Sequence, residues 1–256
     1  MNQVLTILAE TEPISLAEMD SVKLLDRTDT KFVFHKSKLP EILEELKSNY
    51  RILEIDNVRI SDYETLYFDT AAFNLYMHHH NGKLNRYKIR FRKYVGSNLH
   101  FFEIKFKNNK GRTLKSRIKQ KSVKFAITNK AKQLLEDTTN LKASSLLPAF
   151  WVNYSRITFV SQNFQERLTF DINLTIKNET QEKTFTTLII AELKRDKASL
   201  KSPFILLMNN KKIRKYSISK YCFGVTQLYP KIKRNKFKPK LLTLNKIIYA
   251  TPQYNR

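Results

Sequence analysis

The chain has 256 residues, 41% of them hydrophobic and 12% aromatic, which is enough apolar material for one large core. Lys and Arg number 47 against 23 Asp and Glu, a formal charge of +24 that favours polyanionic partners without choosing among nucleic acid, an anionic membrane and polyphosphate. The single Cys222 excludes an intramolecular disulfide framework and suits a reducing compartment. The stretch from Met1 to Glu12 has neither a basic leader nor an apolar segment, and no transmembrane run occurs, so a soluble, cytoplasmic protein is expected. No linker or repeat interrupts the sequence.

In chain order, Ser15 with Glu18 three residues on is a capping box, opening a short helix to about Leu25. Ser37 starts a second helix, Leu39 to Asn49, with Pro40 in its first turn and Leu43 and Leu46 on one face. Phe73 to His80 reads as a helix stopped at Gly82, and Lys130 to Asp137, Phe204 to Asn210 and Ser219 to Tyr229 are further helix candidates. From Lys231 the chain alternates basic and apolar residues. Residues 1–230 are therefore expected to form one domain, and 231–256 a basic tail, docked or partly disordered, whose Lys231 to Lys240 run suits RNA or lipid.

Strands carry the chemical information. Along Arg86-Tyr87-Lys88-Ile89-Arg90-Phe91-Arg92 the cations alternate with apolar residues, placing Arg86, Lys88, Arg90 and Arg92 on one face and Tyr87, Ile89 and Phe91 on the other. Glu103, Lys105 and Lys107 alternate likewise with Phe102, Ile104 and Phe106. Thr113, Lys115, Arg117 and Lys119 alternate with Leu114, Ser116 and Ile118, and Arg156 with Ile157 and Phe159. Arg167, Thr169 and Asp171 stand opposite Leu168, Phe170 and Ile172, and Glu192 and Lys194 opposite Ala191 and Leu193. One such strand is an ordinary half-solvated strand. Six in series, rich in Arg and Lys and poor in acids, crowd like charges that repel by about 4 kcal/mol at ~4 Å in an effective dielectric near 20, and so call for an anion between them.

The motifs Arg27-Thr28-Asp29-Thr30-Lys31-Phe32, Tyr67-Phe68-Asp69-Thr70, His79 to Arg92, Glu103-Ile104-Lys105-Phe106-Lys107, Lys115-Ser116-Arg117, Arg156-Ile157-Thr158, Arg167 to Asp171, Glu192-Leu193-Lys194 and Ser219-Lys220-Tyr221 follow one another in an order that resembles the VTC domain. This is a polyphosphate polymerase domain of the triphosphate tunnel metalloenzymes, here in its stand-alone bacterial form. The resemblance runs from about Leu24 to Tyr221. It implies an α+β fold, an antiparallel β-barrel tunnel with peripheral helices, that transfers the ATP γ-phosphate to a growing polyphosphate chain with a divalent metal, Mn²⁺ or Mg²⁺.

Carried over by motif, Lys31, Arg90, Arg92, Lys105, Lys115, Arg156, Arg167 and Lys220 would act on the transferring phosphates. Arg27, Lys88, Lys107, Arg117, Lys194, Lys215 and Ser219 would bind substrate, and Glu192 with Glu103 would hold the metal. The family's yeast-like members carry a Lys where Ser217 stands here, so Lys215 or Lys194 is the substitute. A salt bridge from Glu103 to Arg90 or Lys105 competes with metal binding, and Asp171 and Asp29 are read as structural partners. His78, His79 and His80 cannot share a face and are expected at an exposed helix end; Cys222 is expected to be buried. Alternatives within the same reading are a triphosphatase of the same fold and a non-catalytic polyanion binder. Specific nucleic-acid binding is not expected, because Tyr87, Phe91, Phe102 and Phe106 face away from the cations, and a peripheral contact with a membrane partner is left open.

Overall fold

The computed structural model describes residues 2–21, 27–197 and 201–250. In chain order the elements are α1 (Asn2–Glu10), β1 (Pro13–Ile14), α2 (Leu16–Ser21), β2 (Arg27–His35), α3 (Leu39–Leu46), β3 (Tyr50–Leu53), β4 (Ile60–Asp69), α4 (Asn74–His80), β5 (Arg86–Tyr94), β6 (Leu99–Lys107) and β7 (Thr113–Gln120). There follow α5 (Lys130–Thr138), β8 (Leu147–Ser161), β9 (Glu166–Lys177), β10 (Glu182–Phe185), β11 (Leu188–Asp196), α6 (Pro203–Asn210), α7 (Lys220–Leu228) and α8 (Lys238–Ile248). The capping box forms: the Ser15 backbone N–H donates to Glu18 at 2.9 Å, and the Glu18 N–H donates back to Ser15 Oγ at 3.2 Å. The end expected for that helix, near Leu25, lies outside the described residues.

All eleven strands join one sheet, whose main path runs β2-β11-β9-β8-β4-β5-β6-β7 with every pair on that path antiparallel. The alternating pattern divides its two faces. On the outer face Phe32, Phe34, Leu168, Phe170, Ile189, Ala191 and Leu193 pack under α1, α3 and α6. Farther along, Leu66, Phe68, Ile89, Phe91, Phe102 and Ile104 pack under α4 and α5. On the inner face, Val33, Phe150, Val152, Leu174, Ile176, Leu188 and Ile190 form a third cluster with α7 and α8, which fills one end of the concavity. Residues 231–250 thus reach this core through Leu244 and Ile248.

The sheet rolls up without closing its own ladder: β2 and β7 are the ends of the strand order. Strands β2 and β5 are five steps apart, about 24 Å on a flat sheet at ~4.8 Å per step. Yet one short segment, Tyr216 to Ser219, touches both strands, so the sheet curls to bring β2 and β5 toward each other. The chain between α6 and α7 spans the opening. Lys215 bridges to Phe32 on the free edge of β2, the Tyr216 N–H donates to the Lys31 carbonyl at 2.7 Å, and Lys88 donates to Ser219 Oγ at 3.0 Å.

Two sequence expectations need correction. His80 is buried at the end of α4, not exposed, because residues 231–250 fold over it: its ring packs edge-on to Phe237 at 5.6 Å and accepts the Lys236 N–H at 3.4 Å. On the terminal strand β7, Leu114 is exposed rather than in the core, near one end of the last strand in the sheet order.

Candidate functional site: a cation-lined lumen

The inner face of the rolled sheet carries Lys31 from β2, Glu192 and Lys194 from β11, Arg167, Thr169 and Asp171 from β9, and Arg156 from β8. Strands β5, β6 and β7 add Lys88, Arg90, Arg92, Glu103, Lys105 and Lys115. Helix α7 adds Lys220, directly after its N-cap Ser219, whose Oγ accepts the Cys222 N–H at 3.3 Å.

Three carboxylates tie this wall together. Glu103 is 0% exposed and takes Arg90, at 2.6 Å from Nη2, and Lys115. Asp171, 2% exposed, takes Arg156 in a bidentate fork at 2.6 and 3.0 Å, and Lys220 from α7. Glu192 pairs with Lys31, directly opposite it across the β2–β11 ladder. Burial works to raise Glu103 and Asp171, but the Arg90, Arg92 and Lys115 charges around the first, and Arg156 and Lys220 around the second, hold both carboxyls well below the usual range. Arg90 and Arg156 are held above their ordinary value against burial, chiefly by Tyr67 with Glu103 and by Asp171 respectively.

Some lysines are short of negative charge. Lys105 is brought down to about 5, first by Arg90 and then by burial and Arg92. Lys31, even with Glu192 on it, is brought down to about 8 by burial and by Lys220, Lys194 and Lys88, and Lys115 is lowered by burial.

The remaining sequence candidates fall at the margins or carry local contacts. Arg92 is 9% exposed, its Nε 3.5 Å from Thr65 Oγ1. Arg167 donates to the Met19 carbonyl at 2.9 Å. Arg117 is exposed over the Phe101 ring, Lys107 is exposed at the rim, and Lys215 is exposed on the edge of β2. Arg27 opens β2, and its side chain lies outside the described ones. A cavity of about 340 Å³ opens from the lumen at the β5–β7 side, bounded by Arg86, Lys88, Lys105, Lys107, Ser219 and Lys240. His79 borders it, held down to about 3 by burial and by Lys88 and Arg86.

The sequence reading missed the lumen aromatics. Tyr63, Tyr67 and Tyr154 stand among the cations: Arg156 lies 5.1 and 5.3 Å from the Tyr63 and Tyr154 ring centres, Lys220 lies 4.5 Å from Tyr154, and Arg90 lies 5.9 Å from Tyr67. Arg90 also donates to the Tyr67 hydroxyl at 3.2 Å; burial works to raise that phenol, but Arg90, Arg92 and Lys88 pull it below its ordinary value. Tyr87, Phe91, Phe102 and Phe106 do face away from the cations, so these three tyrosines stand in addition to the aromatics named from the sequence. The signal was present: Tyr154 lies two residues before Arg156 and hence on its face, since the bulge beside it takes its extra residue from β9, between Ile172 and Thr175, and leaves the alternation of β8 intact.

Carboxylate and phosphate oxygens are the ligands that Mg²⁺ and Mn²⁺ prefer, and Mg²⁺ is commonly held by one or two carboxylates plus substrate phosphates and water. Among the described residues no cluster of three or more His, Cys, Asp or Glu could form an all-protein cage. Glu192 fits the substrate-dependent kind of site: it is a partly exposed carboxylate on the lumen face, with Lys31 as its ion-pair partner. Glu103 is fully buried beneath two cations, which occupy it.

Among protein families, the model of the VTC domain matches residues 26–229. No curated protein matches the sequence. Among solved structures, a proposed adenylate cyclase of Vibrio parahaemolyticus is similar at 10% identity and a TM-score of 0.48, covering 77% of this chain and 97% of that one. A proposed adenylyl cyclase of Hippeastrum with a dominant triphosphatase activity is similar at 13% identity and a TM-score of 0.48, covering 79% and 96%. A protein of Pyrococcus horikoshii is similar at 12% and 0.42, covering 78% and 99%. Among the described residues no helix is long and apolar enough to cross a membrane.

Proposed function

The chain belongs to the VTC domain family, and from that premise we propose that it is a polyphosphate polymerase, transferring the γ-phosphoryl group of ATP to the end of a polyphosphate chain inside the lumen. The observation that carries this reading is the convergence of Lys31, Lys88, Arg90, Lys105, Arg156 and Lys220 on one concavity with Glu192 beside them. Phosphoryl transfer asks for in-line positioning and for charge on the equatorial oxygens, both of which a rigid cationic wall supplies.

In this reading Arg90 and Arg156, each clamped by a carboxylate, are fixed forks for phosphate oxygens, while Lys31, Lys105 and Lys115 are mobile point charges drawn to full protonation by the substrate. A terminal phosphate oxygen of the chain forms the new bond to Pγ, the bond from Pγ to the β,γ-bridging oxygen breaks, and ADP leaves. Glu192, with the phosphates, would hold a divalent ion, which would neutralise charge on the oxygens it touches. Transfer to a chain is favoured over transfer to water for one reason: of the acids that face the lumen, Glu103, Asp171 and Glu192 are ion-paired and Asp29 lies by the Lys31 charge, so each is engaged by cations rather than poised as a general base. A phosphate acceptor is already anionic and needs no base, whereas water does.

Incubation with ATP and Mn²⁺ tests the reading. Acid-stable chains accumulating with ADP are expected. Free phosphate without chains would assign a triphosphatase, and tight polyphosphate binding without turnover would leave a binder.

A further inference from the structure

Phosphate has no flat face to stack, so a polyphosphate tunnel gains nothing specific from aromatic rings. Yet at the mouth beyond Arg92 the lumen face carries a cluster of aromatic rings. Strand β5 starts at Arg86, on the cationic cavity, and ends at Tyr94, about 27 Å away at ~3.4 Å per residue. At that far end Tyr94, two positions beyond Arg92, contacts Tyr63 on β4 at 5.0 Å between ring centres and Phe101 on β6 edge-on at 5.8 Å. Phe101, two positions before Glu103, shares the lumen face, and the exposed Arg117 of β7 lies 4.9 Å from its ring centre. Tyr94 and Phe101 are half-buried; Tyr63 is already stacked on Tyr154 at 5.2 Å and 3°.

We propose that Tyr94 and Phe101, with Arg117 beside them, form a nucleobase-stacking subsite that takes the base of a nucleoside triphosphate. The inference rests on the nucleotide reading above and adds a recognition element to it. With the triphosphate on Arg90 and Arg92, the ribose would span the next strand position or two, ~7 Å per two residues, and the base would reach Tyr94 and Phe101. Rings and guanidinium planes both stack on bases without choosing sequence.

Calorimetric titration of the protein with Mg-ATP and, separately, with inorganic tripolyphosphate plus Mg²⁺ separates base from phosphate, and because it reads binding it is independent of turnover. Tyr94→Ala with Phe101→Ala should weaken ATP about five- to a hundredfold while leaving tripolyphosphate within about twofold. Phe101→Trp, which keeps a stacking face and guards against a variant that fails to fold, should hold or tighten ATP. Equal weakening of both ligands, or unchanged ATP affinity, overturns the subsite and leaves the lumen assignment standing. Failure of the wild-type protein to bind either ligand overturns both.

Discussion

Arg90 and Glu103 occupy one rung of the β5–β6 ladder, and their side chains meet within the lumen wall with the carboxylate wholly shielded from solvent. The pair has Lys115 on its far side and Lys105 close by, so a single buried acid serves several cations. Removing one partner of such a pair typically costs about 3–5 kcal/mol, because the other charge is left uncompensated.

Glu103→Ala should therefore lower stability by several kcal/mol in urea unfolding, and tripolyphosphate should restore more of it than in the wild type, since the anion takes over the carboxylate's work. The pH sign agrees. A carboxyl held below its unfolded value stabilises fully above that value, near 4, and the contribution drains away as pH falls below it. Wild type should thus lose stability below about pH 4, and Glu103→Ala should show a shallower acid loss. A variant as stable as wild type would show that Arg90 needs no counter-ion.

Arg92 is a cleaner probe of phosphate binding than Arg90, for it has no clamping carboxylate among the described residues: its Nε lies 3.5 Å from the Thr65 hydroxyl and its guanidinium 5.5 Å from the Tyr63 ring centre. Arg92→Ala should leave thermal unfolding nearly unchanged and weaken tripolyphosphate about ten- to a hundredfold, the equivalent of one charge-assisted contact of ~1.5–3 kcal/mol. Unaltered affinity would remove Arg92 from the site.

Period-two alternation made the two faces of β5 and β6 legible, and Ile89, Phe91, Phe102 and Ile104 do enter one buried cluster. Helices were legible where a cap or a stop was written into the sequence: α3 follows Ser37 and holds Pro40, and α7 follows Ser219. Less legible was whatever depends on pairing between distant strands. The Asp171 clamp joins β8, β9 and α7, and it becomes visible only once Lys220 is folded onto the sheet. Tyr63, Tyr67 and Tyr154 carry no period-two signal of their own because tyrosine serves either face, and α8 was hidden by the high charge of residues 231–240.

Gly224 sits in the middle of α7 where a helix former would be expected, and a Cβ built there would lie 2.2 Å from Phe150 Cε2. Gly224→Ala should push α7 off β8, costing roughly 1–3 kcal/mol as overpacking does, and carry Ser219 and Lys220 out of register with Lys88 and Asp171. Both melting temperature and tripolyphosphate affinity should fall. Phe150→Leu in the same chain should recover them; a variant with wild-type stability would show that the helix has room to spare.

Lys105 at about 5 and Lys31 at about 8 bear on proton uptake. A lysine whose folded value lies below its unfolded one, ~10.4, destabilises fully below the folded value and progressively less as pH rises between the two. The empty protein should accordingly gain stability between about pH 8 and 10 through Lys31. Bound phosphate favours the ammonium, so at pH 7.5 the neutral Lys105 should take up about one proton on binding. Titrations in buffers of differing ionisation enthalpy should show wild type taking up more protons than Lys105→Met by about that amount. Equal proton counts would place Lys105 away from the phosphates.

Glu192→Gln separates the metal from the anion. The substitution keeps the shape, removes one negative charge from a cationic wall and releases Lys31, so metal-free tripolyphosphate should bind as well as before or better. Turnover of ATP should nevertheless collapse, because an amide oxygen is a poorer ligand for Mn²⁺ than a carboxylate and no described acid cluster stands in for it. Treatment of wild type with EDTA should give the same phenotype, binding without turnover. If Glu192→Gln turned over ATP like wild type, the divalent ion would have to be held by the phosphates alone, with Glu192 reduced to the partner that keeps Lys31 in place.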